Sequence, residues 1–116
     1  MIFHDRVGIV CKTKETSASA VTETFNGTVP AIVVPLSSSQ LVYASGATAT
    51  NTRYQVIIKP FSYVIPLNAS STVPSVAGAN QILFTYGGHP SLLLEGKVER
   101  HLFRGRLHHY EAIVKT

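Results

Sequence analysis

The alternation of apolar and polar positions along the chain predicts short β-strands rather than helices. Residues 5–14 alternate with a period of two, which is typical of a half-buried strand and points Cys11 inward. Residues 53–59 alternate in the same way, and Pro60 is expected to end that strand or bend it into a further strand over residues 61–65. No amphipathic helix of useful length is predicted.

The segment between these two strands contains turn and strand-limiting residues. Residues 15–28 are expected to form a connection or a long hairpin arm that ends at the Asn-Gly pair 26–27, a strong turn signal. Residues 29–36 then predict a short strand. Pro30 and Pro35 should bound its four central residues, because proline cannot donate a ladder hydrogen bond.

Residues 81–116 predict a three-stranded meander. Gly87-Gly88 and Arg104-Gly105 are the expected turns, because glycine readily adopts the backbone conformations of tight hairpins. In the middle strand, period-two alternation predicts one dry and one wet face, formed respectively by Leu92, Leu94, Val98 and Leu102 and by Glu95, Lys97, Glu99 and His101. The last strand is expected to be half-buried.

Six or seven short strands separated by turns indicate an all-β fold, a small antiparallel barrel or sandwich. Of the two, we expect the barrel. At 116 residues the chain is long enough for one domain, residues 1–116, with long loops at about 37–52 and 66–80.

Charge is scarce and unevenly distributed. Only 14% of residues are charged, against about 25% in an average protein, and residues 24–52 and 60–94 contain no Asp, Glu, Lys or Arg. Such segments are covered by the core or by neighbouring subunits, or else they are neutral loops in water. The net charge of +4 is mixed with acidic residues, and only the turn at Arg104 and Arg106 is locally basic.

Few residues of the chain occur in patterns typical of catalytic sites, so we expect neither an enzyme nor a cofactor. Asp5 is the only aspartate, and no serine lies in a nucleophile-elbow pattern. The histidines that could supply nitrogen ligands to a metal ion are His4, His89, His101, His108 and His109. A zinc site needs three or four convergent ligands, whereas the adjacent His108 and His109 should point to opposite faces of a strand. We therefore expect no metal site. One of these two histidines should pack beside Tyr110 and donate to a backbone carbonyl, and the other should lie at the surface or in a subunit contact.

Nucleic-acid binding is a further possibility. Four aromatic residues of the meander are suited to stacking on single-stranded bases, although no basic groove accompanies them: Phe84, Tyr86, Phe103 and Tyr110. We expect a protein of a reducing compartment, because the chain has a single cysteine and no leader precedes the first strand. We also expect it to be soluble, because no run approaches the roughly 20 apolar residues of a membrane span.

The chain resembles a known family in layout over residues 1–116, including an extended first strand and a Pro-Leu-Ser-Ser-Ser run at 35–39 that opens a long loop, and the resemblance is specific over residues 92–116. Residues 53–60, the sequence Glu-Gly-Lys-Val-Glu-Arg-His at 95–101 and the sequence Gly-Arg-Leu-His-His-Tyr-Glu at 105–111 are similar to those of the head-to-tail connector proteins of tailed bacteriophages. Within that group the chain resembles the stopper, or head-closure, proteins. The motif positions are Gly96, Val98, Gly105, His108, His109, Tyr110 and Glu111.

The resemblance implies a structural virion protein without catalytic activity. Such proteins form a ring, here of six or twelve copies, below the portal and adaptor, where they close the DNA exit channel and dock the tail terminator or tail tube. The implied location is the virion neck, after assembly in the host cytoplasm. DNA in the channel would be contacted without sequence specificity, and no membrane is involved.

The resemblance also gives two segments a role. The loop at 37–52 would project into the channel or the ring interface, with Ser37, Ser38, Ser39, Gln40, Leu41, Val42, Tyr43 and Gly46 as its candidate contact residues. Arg104 and Arg106 would contact an acidic neighbour or the DNA end, or else form a solvated turn. The alternatives are a tail terminator, a decoration protein and a single-strand nucleic-acid-binding barrel.

Overall fold

The computed structural model describes residues 2–36, 40–42, 48–50 and 52–116. These residues contain nine β-strands and no helix. The strands are β1 (Asp5–Thr13), β2 (Thr22–Leu36), β3 (Gln40–Val42), β4 (Thr48–Thr50), β5 (Arg53–Ile58), β6 (Ala69–Ser70), β7 (Asn80–Tyr86), β8 (His89–Phe103) and β9 (Arg106–Lys115).

Six of the strands close into an antiparallel barrel. Their order is β1-β2-β5-β9-β8-β7, and β7 pairs back with β1 to complete the circle. The two-residue strand β6 is added parallel to β7, and β3 pairs with β4 in a separate two-stranded ladder within the predicted loop at 37–52. The predicted barrel of six to seven strands is confirmed.

Barrel closure depends on a close approach between β1 and β7. Gly8 lies opposite Thr85 across this seam, and a Cβ atom at Gly8 would come within 3.1 Å of the Thr85 Cβ. Because real Cβ atoms rarely approach other atoms so closely, glycine at this position lets the two strands meet. The closed sheet has no free strand edge along the seam.

The inward-facing side chains of all six barrel strands form one apolar core. Cys11 belongs to it, as predicted, and burial raises the pKa of its thiol to about 11. The other buried apolar residues include Val7, Ile9, Val29, Ala31, Val56, Ile58, Ile65, Ile82, Phe84, Leu92, Leu94, Val98, Tyr110, Ala112 and Val114.

The segment between β5 and β6 is held against the barrel without being a strand. The backbone N–H of Ile65 donates to the Tyr110 hydroxyl at 3.3 Å, and the Arg100 guanidinium donates to the Ile65 carbonyl at 2.6 Å. Arg100 and Tyr110 are directly opposite each other on β8 and β9. The predicted strand over 61–65 is therefore wrong, because side chains rather than a neighbouring strand satisfy the backbone of Ile65.

The predicted turn at Asn26-Gly27 is also wrong. Both residues lie within β2, where they pair with Val10 and Ile9 of β1. The ring of Phe25 covers Gly27, since a Cβ atom there would lie 3.1 Å from the ring. A long ladder with β1 thus outweighs the local turn preference of the Asn-Gly pair.

The strand predicted at 29–36 exists, but it is the second half of the fifteen-residue β2. Pro30 and Pro35 lie within this strand rather than at its ends, paired with Arg6 and Tyr54. Proline lacks only the donor, and the Pro30 carbonyl still accepts a hydrogen bond from the Lys59 N–H at 3.2 Å.

The meander of β7, β8 and β9 and its two turns are confirmed. Gly87, Gly88, Arg104 and Gly105 all have positive φ angles, as two-residue hairpin turns require. The predicted burial of Leu102 is wrong, because its side chain is 65% exposed. The ladder is irregular between His101 and Leu102, and the hairpin there runs past the end of the barrel, because β9 pairs with β5 only from Tyr110 onward.

Candidate functional site

The predicted channel loop lies mostly outside the described residues. Ser37, Ser38, Ser39, Tyr43 and Gly46 are not among them. The backbone of Gln40, Leu41 and Val42 forms β3, whose partners are Thr50, Ala49 and Thr48 in that order.

The turn between β8 and β9 presents apolar and basic side chains together. We call residues 102–106 the hairpin tip. Leu102 and Phe103 are 65% and 60% exposed, and the flanking Arg104 and Arg106 are exposed as well. The Arg104 guanidinium lies 5.3 Å from the centroid of the Phe103 ring, within the range of a cation–π contact.

A second group of exposed apolar side chains lies between β5 and β7. In the part of the charge-free segment that precedes β7, some residues fill the core, but four large apolar side chains face outward: Val64, Leu67, Val73 and Val76. We call them the loop patch. Coverage by the barrel thus explains only part of the missing charge in this segment.

The fold itself accounts for several motif residues of the phage resemblance. Gly96 and Gly105 adopt positive φ angles of 77° and 75°, a conformation that favours glycine. Val98 and Tyr110 are buried in the core. These four positions are explained by folding, whereas His108, His109 and Glu111 are not.

His109 and Glu111 belong to a cluster on the outer face of the β8–β9 hairpin. The register places His101 opposite His109 and Glu99 opposite Glu111, so the four side chains form two adjacent cross-strand pairs. The rings of His101 and His109 are stacked with centroids 4.7 Å apart and an interplanar angle of 7°.

The polar atoms of this cluster converge. His101 Nε2 contacts Glu111 Oε2 and lies 3.3 Å from Glu99 Oε2, and His109 Nε2 lies 3.9 Å from Glu111 Oε2. One ligand atom from each of His101, His109 and Glu111 lies within 4.8 Å of the other two. Among the described residues, this cluster is the group of histidine and acidic side chains whose donor atoms are close enough together to hold a metal ion.

Neighbouring side chains orient the cluster. The Gln55 amide donates to Glu111 Oε1 at 3.2 Å, which leaves Oε2 directed at the histidines. His108 Nδ1 and His109 Nδ1 are 2.9 Å apart and share one hydrogen bond. Burial, followed by the nearby charge of His101, lowers the pKa of His109, although Glu111 partly opposes this shift.

Sequence reasoning missed this cluster because it rejected a site among the five histidines on the geometry of the adjacent pair His108 and His109 and did not include a glutamate as a ligand. The half-buried member is His109, and the partners that the structure gives it are side chains rather than the expected backbone carbonyl. A usable signal was present. Two pairs of ionisable residues flank one predicted turn, and the members of each pair are two residues apart. Glu99 and His101 precede the turn, and His109 and Glu111 follow it.

The proposed base-stacking surface is not assembled. Phe84 and Tyr110 are fully buried in the core, so these two predictions are wrong. Tyr86 is half-buried and packs edge-on against Tyr54 at 5.5 Å between centroids. Of the four aromatic residues, Phe103 alone is exposed.

Comparison with known proteins adds no relative. No protein-family model matches the chain, and neither a curated protein nor a solved structure matches it with significance. Within the described residues, there is no helix of the length and apolar character required to cross a membrane.

Proposed function

We propose that this chain is a structural protein of the neck of a tailed phage. In this role it forms a homo-oligomeric ring of six or twelve copies below the portal and adaptor, closes the DNA exit channel and docks the tail. The observation that carries the proposal is the exposure of two groups of apolar side chains, the hairpin tip and the loop patch, on a closed barrel.

A closed barrel restricts how copies of the chain can associate. Within the barrel wall each of the six strands has a neighbour on both sides, so the wall itself offers no free edge to which a neighbouring subunit could add a strand. Association at the wall must then use side chains that project from it. Two different apolar groups suit a heterologous contact, in which one surface of each subunit meets a different surface of the next and the chain of contacts closes into a ring.

The charge of the hairpin tip fits the same role. Arg104 and Arg106 place two cations beside exposed apolar side chains, in a chain with few charges elsewhere. Guanidinium groups bind either carboxylates of a neighbouring protein or DNA phosphates, and phosphate contacts carry no sequence specificity. A channel protein that must let DNA pass needs contacts of this kind.

The first test is the oligomeric state of the purified protein, measured by native mass spectrometry and light scattering. The wild type is expected to form rings. The double variant Leu102→Ser, Phe103→Ser should weaken subunit association by at least about tenfold, because buried apolar and aromatic anchors dominate such contacts. Leu93→Ser is the matched control, since Leu93 is an exposed apolar residue of the same strand outside the hairpin tip.

The second test is a reconstruction of the virion that contains the chain. A ring between portal and tail with density for residues 92–116 is expected. A protein that stays monomeric and has no affinity for a portal–adaptor complex would refute the neck role. Density at the end of the tail tube or on the capsid shell would instead indicate a tail terminator or a decoration protein.

A single-strand nucleic-acid-binding barrel is the alternative from another class. Salt-sensitive binding to oligonucleotides by a monomer, lost on replacing Phe103 and Arg104, would favour it over the neck role.

A further inference from the structure

We propose that His101, His109 and Glu111 bind a divalent first-row transition-metal ion such as Zn²⁺, with Glu99 as a fourth side chain within reach. This site is independent of the neck role, because its evidence lies in one hairpin of the single chain. It would join β8 to β9 immediately below the hairpin tip.

The spacing of the donor atoms suits a tetrahedral ion. Zinc binds imidazole nitrogen and carboxylate oxygen at about 2.0–2.2 Å, which places two ligand atoms of a tetrahedron roughly 3.3 Å apart. The His101 Nε2 to Glu99 Oε2 distance is 3.3 Å and the His109 Nε2 to Glu111 Oε2 distance is 3.9 Å. Small rotations of exposed or half-exposed side chains therefore bring the ligands to coordination distance.

The ligand types select the class of metal. Two imidazoles and a carboxylate suit Zn²⁺, Co²⁺, Ni²⁺ or Cu²⁺, whereas Mg²⁺ and Ca²⁺ prefer sets made of oxygen atoms. Two histidines and one acidic residue leave a position for water or for a further ligand. Glu99 is the nearest candidate, because it faces Glu111 across the hairpin.

The surrounding hydrogen bonds match those that orient metal ligands. A histidine that binds through Nε2 carries its proton on Nδ1 and donates it to a neighbouring acceptor. Here His109 Nδ1 is 2.9 Å from His108 Nδ1, and in the tautomer in which His109 donates this hydrogen bond its Nε2 carries the lone pair that a metal ion needs. Gln55 similarly holds Glu111 by the oxygen that faces away from the histidines.

The backbone that carries these ligands is fixed by the core. Tyr110 lies between His109 and Glu111 in sequence and is buried, which holds β9 in place and directs its two neighbours outward. The stacked histidines sit on paired residues of the regular stretch of ladder that runs from the pair Glu99 and Glu111 to the pair His101 and His109. The four side chains are therefore brought together by strand register before any ion binds.

The test uses the full-length protein without an affinity tag, freed of metal by chelation. Isothermal titration with Zn²⁺ should show one ion per chain, and Co²⁺ should give the strong visible absorption of a four-coordinate site. His101→Ala and His109→Ala should each weaken binding by at least about tenfold, and Gln55→Ala, which removes an orienting hydrogen bond, by about tenfold. His4→Ala is the control, because His4 pairs with Asp5 outside the cluster.

Circular dichroism establishes whether each variant is folded. Glu111→Gln keeps the shape of the side chain and removes its charge, so it provides the test if an alanine variant fails to fold. Absence of saturable binding by the wild type would overturn the proposal. So would binding that His4→Ala weakens as much as His109→Ala does, or binding that Glu111→Gln and both histidine variants leave unchanged.

Discussion

Replacing Tyr110 by phenylalanine tests how the segment before β6 is attached to the barrel. The Tyr110 hydroxyl accepts the backbone N–H of Ile65, and both residues are buried. Tyr110→Phe keeps the ring in the core but removes the acceptor. The Ile65 N–H then has no partner and no access to water, which is the costly half of losing a hydrogen bond.

The expected cost follows from that desolvation. Leaving one buried donor unsatisfied costs about 1–3 kcal/mol, whereas the ring still fills its place and creates no cavity. For a domain of this size, each kcal/mol lowers the melting temperature by about 4 °C, so a fall of about 4–12 °C is expected. Urea titration should give a lower midpoint with an unchanged slope, because the surface exposed on unfolding hardly differs.

The control is the same chemical change at an exposed hydroxyl. The Tyr63 hydroxyl accepts from Thr24 at 3.3 Å in an exposed contact, so Tyr63→Phe should alter the free energy of unfolding by less than about 0.5 kcal/mol. Equal effects of the two substitutions would refute the reasoning. A loss below about 0.3 kcal/mol for Tyr110→Phe would show that the Ile65 N–H readily finds another partner.

Two further predictions concern a buried thiol and a turn residue. Because burial raises the pKa of Cys11 from 9.0 to about 11, the unfolded chain releases this proton first. The contribution of the protonated Cys11 thiol to the free energy of unfolding is fully present below about pH 9 and is lost as the pH rises toward 11. Between about pH 8 and about pH 10.5, the free energy of unfolding measured with urea should fall by about 2 kcal/mol more for the wild type than for Cys11→Ala. Equal falls in the two proteins would contradict the assignment. Arg104 has a φ angle of 53°, a conformation that costs energy for most residues but is readily adopted by asparagine. Arg104→Asn gives the favoured Asn-Gly hairpin turn and should raise the free energy of unfolding by about 0.5–1 kcal/mol. An unchanged urea midpoint would count against strain at this position.

The period-two pattern was sufficient to predict the barrel. The alternation in β1, β5 and β9 is strong because one face of each strand meets the core, and the glycine-containing pairs at 87–88 and 104–105 are required by positive φ angles. The errors arose where a distant contact outweighs a local preference. Asn26-Gly27 continues a strand because β1 pairs along it, and residues 61–65 do not form a strand because Arg100 and Tyr110 bind the backbone of Ile65.

The His–Glu cluster depended on register, which alternation alone does not provide. One extra residue in the ladder near the tip shifts the pairing so that His101 meets His109. Local sequence shows which side chains share a face of one strand, but the irregularity in the hairpin decides which partner each one faces. The burial of Phe84 and Tyr110 also depends on closure of the sheet into a barrel, which the pattern of a single strand does not show.

The position of β9 in the barrel has a consequence for synthesis of the protein. Although β9 is the last strand in sequence, it lies between β5 and β8, and residues 106–115 must be present before these two can be joined. Until residues 106–115 have left the ribosome, β5 and β8 each lack a neighbour. The cell therefore makes a chain that remains open and prone to aggregation until translation has passed β9, and chaperones that protect nascent chains should bind it during that interval.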